Sequence, residues 1–350
     1  MTRIAQVAPL FESVPPKAYG GTERVVSYLT EELVRLGHEV TLFASADSVT
    51  AARLLAPVAS SIRPVPGNQE WLAYHAIQMD EVRRHAHEFD IIHFHTDMLH
   101  FPTALQLGVP HLTTLHGRLD LPQLTPLLRH FSGSPLVSIS DAQRRPQAAA
   151  NWAGTVHHGL PADLYRLSET ASEYLLFIGR VSPEKRVDRA IDIACRCGMP
   201  LYIGAKVDPA DAAYFEREIA PLLRLPGVHF LGEISQSQKR ELLEHAKALL
   251  FPIDWPEPFG LVMIEAFACG TPVIAYDHGS VSEVVEHGAT GFIVHDQEEA
   301  VEMTRRIGML DRLACRAEFE RRFTATRMAE GYLRIYEQLL SSGSASRSTP

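Results

Sequence analysis

Leu249-Leu250-Phe251-Pro252-Ile253-Asp254-Trp255-Pro256-Glu257-Pro258-Phe259-Gly260-Leu261-Val262-Met263-Ile264-Glu265 passes from a strand to a helix through a proline-rich bend. The apolar run Leu249–Pro252 has strand length, and Pro252 and Pro256 keep the next residues extended. A helix opens near Phe259-Gly260, and a second apolar run, Pro272–Ala275, follows it. Strand, helix, strand in this order is the repeating unit of a parallel sheet with crossover helices.

The same alternation extends in both directions. Upstream in the second half, strands are expected at Tyr174–Ile178, Leu201–Ile203 and Val228–Leu231, and downstream at Gly291–Val294. In the first half they are expected at Arg3–Pro9, Glu39–Ala44, Asp90–His95, His111–Leu115, Leu136–Ile139 and Thr155–His157. Val25, Val26, Leu29, Leu33 and Leu36 recur at helical spacing, with Thr22 as the expected N-cap. The fold class is therefore α/β: two Rossmann-like, doubly wound parallel-sheet domains, residues 1–159 and 160–324, facing a cleft. Gly159 marks the seam, where a hinge is expected. A last amphipathic pattern, Met328, Tyr332, Leu333, Ile335, Tyr336 and Leu339, predicts a helix over about 325–340 that packs back on the first domain. Residues 341–350 read as a flexible polar tail.

A chain of 350 residues is long enough for two cores, and 46% hydrophobic with 21% charged residues describes a globular chain. The net charge of -9 is uneven: residues 1–160 carry 12 Lys+Arg against 14 Asp+Glu, and the remainder carries 21 against 28. This balance disfavours nucleic acid as a partner. The four cysteines, Cys195, Cys197, Cys269 and Cys315, have neither disulfide-ladder nor zinc-knuckle spacing. Reduced thiols and an N-terminal apolar run too short for a signal peptide point to the cytoplasm, and no run of about 18 apolar residues suggests a transmembrane segment.

Three segments carry chemistry. Glu257 and Glu265 stand eight positions apart, one before the helix and one about two turns inside it, so they can meet different parts of one long ligand. A helix start that merely favours acidic side chains would account for Glu257 but not for Glu265. The amides of Gly260 and Leu261 could hold a phosphate. In Gly179-Arg180-Val181-Ser182-Pro183-Glu184-Lys185, Arg180 and Lys185 follow a strand end, where two cations can neutralise a diphosphate; solvated surface charge is the plainer alternative. The loop Val14–Glu23 ends in Gly20-Gly21 before a helix, which suits either a tight turn or a close approach of phosphate to backbone. Spacing there excludes the G-x-G-x-x-G dinucleotide fingerprint.

His116 ends a strand and precedes Gly117, which places its imidazole at the cleft edge of the first domain. The pairs His93/His95 and His157/His158 do not read as metal ligands: His93 and His95 are expected to face opposite sides of their strand, and adjacent residues seldom converge on one ion. No metal site is expected.

Taken together these segments resemble the retaining family 4 (group 1) glycosyltransferases of the GT-B fold. The resemblance rests on Glu257–Glu265 with its continuation Ala266–Ala275, and on Gly20-Gly21, His116-Gly117, Ser138-Ile139-Ser140 and Arg180/Lys185 in the expected order. It implies a nucleotide-sugar donor, with Arg180 and Lys185 on its diphosphate, Glu265 on the ribose and Glu257 on the transferred sugar. It also implies backbone contacts from Phe259, Gly260 and Leu261, Gly20-Gly21 on the diphosphate, and His116 near the reacting sugar. His116, Arg180, Lys185 and Glu257 form the implied catalytic set. No cofactor or obligatory metal is implied, because the leaving phosphate assists the acceptor hydroxyl. Two positions depart from the family pattern: His158 where asparagine is usual, and Arg186 where glycine often follows the lysine.

The resemblance implies transfer of a hexosyl group, UDP-glucose being the first donor expected and GDP-mannose the second. The hydroxyl acceptor, a glycan, lipid or small molecule, would meet loops such as Pro57–Gln69 and Arg118–Arg129. A glycoside hydrolase would use paired carboxylates but needs neither Arg180 nor Lys185. A sugar-nucleotide epimerase of the same plan would act without acceptor, and a noncatalytic nucleotide-sugar-binding protein would show no turnover.

Overall fold

A computed structural model of the chain describes residues 1–17, 20–63 and 71–346, with side chains as far as Ser342. The chain divides into two compact units, Met1–Pro161 together with the chain from Ala325 onward, and Ala162–Thr324.

The first unit holds β1 (Arg3–Val7), β2 (Glu39–Phe43), β3 (Arg53–Leu55), β4 (Ile91–Phe94), β5 (His111–Thr114), β6 (Leu136–Ser138) and β7 (Trp152–Thr155). They form one parallel sheet in the order β3-β2-β1-β4-β5-β6-β7. Every residue of β4, and all but the first of β1 and β2, is buried, which is why these strands read as mainly apolar runs, each interrupted by one buried polar residue, Gln6, Thr41 or His93. Two edge strands escape that signal. β3 has three partly exposed residues, and β7 begins at Trp152 rather than at Thr155, because Trp-Ala-Gly-Thr lacks the β-branched pattern. The helix Gly21–Arg35 buries Val25, Val26, Leu29 and Leu33 against this sheet. Its N-cap is Gly20, not Thr22: the Gly20 carbonyl accepts the Arg24 N–H at 3.2 Å, so the first turn starts two residues earlier than expected.

The helix Ala325–Ser346 belongs to this unit. Met328, Ala329, Tyr332, Ile335 and Tyr336 are buried, and the Thr326 hydroxyl donates to Glu32 on the Gly21–Arg35 helix at 2.5 Å. The helix continues to Ser346, past the expected end near 340. Within it the Ser341 and Ser342 hydroxyls donate to the carbonyls of Glu337 and Gln338, one turn back. The last four residues of the expected tail lie outside the described residues.

The second unit holds β8 (Leu175–Arg180), β9 (Leu201–Lys206), β10 (Val228–Gly232), β11 (Ala248–Phe251), β12 (Val273–Tyr276) and β13 (Gly291–Val294). These too are all parallel, in the order β10-β9-β8-β11-β12-β13. Its core is built from Leu175, Phe177, Leu201, Ile203, Leu250 and Ile274 on the strands with Val187, Ile191 and Ala194 on the helix Val187–Cys197. Strand order reverses between β1 and β4 in one sheet and between β8 and β11 in the other. In such sheets ligands bind beyond the carboxyl ends of the strands at the reversal.

Candidate functional site

In the second unit the two strands at the reversal lead directly into the chemistry-bearing segments. β8 ends on Arg180, whose guanidinium pairs with Glu184 at 3.2 Å and Asp208 at 3.5 Å. Lys185, five residues on, forms an ion pair with Glu257 from the loop after β11. Both side chains are enclosed, at 15% and 11% exposure, and Trp255 holds them: its indole N–H donates to the Glu257 carboxylate at 3.0 Å, while its ring lies 4.8 Å from the Lys185 ammonium. Two segments 72 residues apart in sequence therefore form one charged surface.

Arg186, where glycine is usual, adopts a left-handed backbone with φ 55°. That conformation is unfavourable for a side-chain-bearing residue. Ion pairs hold it there: Arg186 binds Asp188 at 2.7 Å and Asp254 at 3.0 Å, and Arg189 binds Asp254 at 3.2 Å. The Asp254 N–H also donates to the Glu184 carbonyl at 2.8 Å, so the loop after β8 is tied to the loop after β11.

The carboxylate segment turns sharply at Gly260, with φ 79°; a Cβ there would stand 2.8 Å from the Met263 methyl. The helix Leu261–Ala268 starts immediately after. Glu265 is its fifth residue, a little over one turn inside rather than two, because the helix opens one residue later than expected. Glu265 is 3% exposed and pairs at 2.6 Å with Lys239 from the helix Gln236–His245. Glu257 and Glu265 thus each have a separate lysine. Phe259 is buried and its carbonyl accepts the Ser280 hydroxyl at 2.9 Å. Gly279 makes this packing feasible, since a Cβ on it would fall 2.3 Å from the Glu257 backbone. Lys239, Trp255, Gly279 and Ser280 escaped sequence reading; only the Gly279-Ser280 turn left a local signal.

The first unit gathers histidines. His93 and His95, expected to face opposite ways, have ring centroids 4.0 Å apart. The expectation is mistaken, because side chains two residues apart along extended backbone project to the same face. His95 Nδ1 is 2.9 Å from His116 Nε2, and the His116 ring stacks on His158 at 5.3 Å. His93, His95 and His158 are buried, and desolvation holds all three well below the ordinary histidine range; it brings His116 down to about 3. These imidazoles are neutral at physiological pH. Among the described residues, no three His, Cys, Asp or Glu side chains are grouped to hold a metal ion.

Gly20 and Gly21 stand at the start of the Gly21–Arg35 helix, beyond β1, and a Cβ on Gly20 would meet Pro16 at 2.8 Å. Glu23, in the first turn, is buried, and desolvation raises its carboxyl. Ala18 and Tyr19 of this loop, and positions 64–69 of the expected acceptor loop Pro57–Gln69, lie outside the described residues. No helix among the described residues is long and apolar enough to cross a membrane.

Two parallel, doubly wound sheets of this kind are the fold of the GT-B glycosyltransferases. Residues 166–310 match the family "Glycosyl transferases group 1", and residues 19–157 match "Glycosyltransferase Family 4". The chain is 26% identical to phosphatidyl-myo-inositol mannosyltransferase of Mycobacterium leprae, over 98% of each chain. It is 27% identical to alpha-maltose-1-phosphate synthase of Mycobacterium tuberculosis, over 86% of this chain and 88% of that one. Among solved structures it is similar to AviGT4, a glycosyltransferase involved in avilamycin A biosynthesis, with a TM-score of 0.76, 25% identity, and 97% and 98% of the two chains covered. The chain belongs to the family 4, group 1 glycosyltransferases and is an enzyme of that class.

Proposed function

We propose that this enzyme transfers a hexosyl group from a nucleoside diphosphate sugar to a hydroxyl acceptor with retention of anomeric configuration. The observation that supports this reading most is the enclosed Lys185–Glu257 pair and the half-exposed Arg180, delivered by β8 and β11 at the point where strand order reverses. A diphosphate leaving group needs fixed positive charge, and Arg180 and Lys185 supply it where the negative charge grows. Glu257, held by Lys185 and Trp255, accepts hydroxyls of the transferred sugar, and Glu265, held by Lys239, accepts the ribose hydroxyls. The backbone of Phe259, Gly260 and Leu261 and the Gly20-Gly21 turn serve the phosphates and sugar.

In the reaction the bond from the anomeric carbon to the diphosphate oxygen breaks, and the acceptor oxygen bonds to that carbon on the same face. The acceptor proton passes to the departing phosphate, so no protein nucleophile is required. With two side-chain cations on the diphosphate, transfer needs no resident metal, and activity is expected to survive a chelator. UDP-glucose is the first donor to test and GDP-mannose the second, the latter favoured by the mannosyltransferase relative. A cytoplasmic location accords with the free thiols of all four cysteines.

The test is a thermal-shift screen against UDP-, GDP-, ADP- and dTDP-sugars, followed by product analysis with an acceptor panel. A donor that raises the midpoint and yields free nucleoside diphosphate with an α-to-α glycoside product supports the proposal. An inverted product, or epimerisation of the donor without acceptor, contradicts it.

A further inference from the structure

The histidine network of the first unit has a direction, and the direction ends on an incomplete atom. The Thr114 hydroxyl donates to the Tyr332 oxygen at 3.0 Å, so the Thr114 oxygen is the acceptor for the Nε2–H of His93 at 2.8 Å. A neutral imidazole carries one proton, which leaves His93 Nδ1 as a lone pair accepting the Tyr336 hydroxyl at 2.8 Å. The Tyr336 oxygen in turn accepts the Gln6 amide N–H at 3.1 Å. That contact turns the Gln6 carbonyl oxygen toward His95 Nε2, at 2.8 Å, and two acceptors do not bond, so His95 carries its proton on Nε2. His95 Nδ1 is then a lone pair accepting the Nε2–H of His116 at 2.9 Å. By elimination His116 Nδ1 is bare, and it is a buried atom with no hydrogen-bond partner.

We propose that Gln6 and His95 are positioning residues that hold neutral His116 as its Nε2–H tautomer, so that its enclosed Nδ1 lone pair accepts a hydrogen bond from a ligand hydroxyl. Burial keeps the members of the chain neutral, which is what allows one tautomer to dictate the next. A buried nitrogen acceptor without a donor is costly, and a hydroxyl completes it. That the hydroxyl belongs to a sugar rests on the function proposed above; the tautomer does not. The relay spans β1, the ends of β4 and β5, and the last helix, so it comes from four regions of the first unit and leaves no contiguous motif.

The experiment is long-range proton–nitrogen correlation on the full chain labelled with nitrogen-15 histidine at neutral pH, His116 being assigned by the signal lost in His116→Gln. The wild-type protein is expected to show His116 with an unprotonated Nδ1 and a protonated Nε2. In Gln6→Leu, which removes the carbonyl that orders His95, the His116 signals should move toward the average of the two tautomers, and turnover should fall about tenfold with the donor-induced thermal shift retained. A wild-type His116 protonated on Nδ1 overturns the proposal whether or not the variant folds. So does an unchanged His116 tautomer in a folded Gln6→Leu protein. Absence of any nucleotide-sugar shift alongside the expected tautomer would sink the proposed function instead, leaving the relay in place.

Discussion

The polar centre of the second unit is ionic, whereas that of the first is neutral. Around Arg180, Lys185 and Glu265 each charge has an opposite partner within 4 Å, and the pairs are enclosed but not sealed. His116 is half-buried against the buried His95 and His158, and these uncharged groups are joined by directional hydrogen bonds through Gln6 and His95. The two designs suit different tasks. Ion pairs set field strength and can exchange partners with a charged ligand, since a lysine ammonium accepts many geometries. A chain of neutral imidazoles cannot neutralise a diphosphate, but it fixes which atom donates and which accepts.

Acid provides the sharpest contrast. His93, His95, His100 and His158 all lie in the first unit, and burial depresses each below its unfolded value of about 6.5. The unfolded chain then takes up protons that the folded unit refuses, so their contribution is complete above about pH 6.5 and is lost as pH falls. All four act in the same direction, so stability falls as pH drops below the unfolded histidine range. Hydrogen exchange followed by segment at pH 7.5 and 5.5 should show protection lost in the first unit. Equal protection there at both pH values would mean that these imidazoles are not held neutral by the fold.

Lys185→Ala tests the ionic centre. Losing one diphosphate cation is expected to lower turnover by about 10²–10³-fold, because the interaction strengthens as the leaving group departs. Steady-state kinetics with the donor found in the screen would read it, and a near-normal kcat would remove Lys185 from the mechanism. Gly279→Ala probes the loop that carries Glu257. With a Cβ 2.3 Å from that backbone, the substitution should cost about 2–3 kcal/mol in a denaturant melt, and wild-type stability would show that the loop yields without strain. Glu265→Gln is the mildest change. It removes a charge that faces Lys239 and should weaken nucleoside diphosphate binding about tenfold by calorimetry; unchanged affinity would detach Glu265 from the ribose.

What could be read from sequence follows the same division. The buried strands were legible because doubly covered strands are mainly apolar, as Ala248–Phe251 is throughout and Ile91–Phe94 is but for His93. The edge strand β3 was not, since its three incompletely buried residues carry no such run, and β7 was placed three residues late. The reversal of strand order places Arg180 and the Glu257 segment together, and both were visible because each lies close behind a strand. Lys239 was invisible: it sits on a polar helix whose spacing says nothing about Glu265, 26 residues away. The relay was harder still. Gln6, His95 and His116 look like isolated polar residues until parallel pairing aligns β1, β4 and β5, and until the last helix brings Tyr332 and Tyr336 to them.

The central claim concerns the diphosphate and the charges after β8. The most direct test is a crystal structure of the protein with a nucleoside diphosphate or its sugar bound. The account predicts phosphate oxygens within hydrogen-bonding distance of both the Arg180 guanidinium and the Lys185 ammonium; phosphates bound away from both side chains would contradict it.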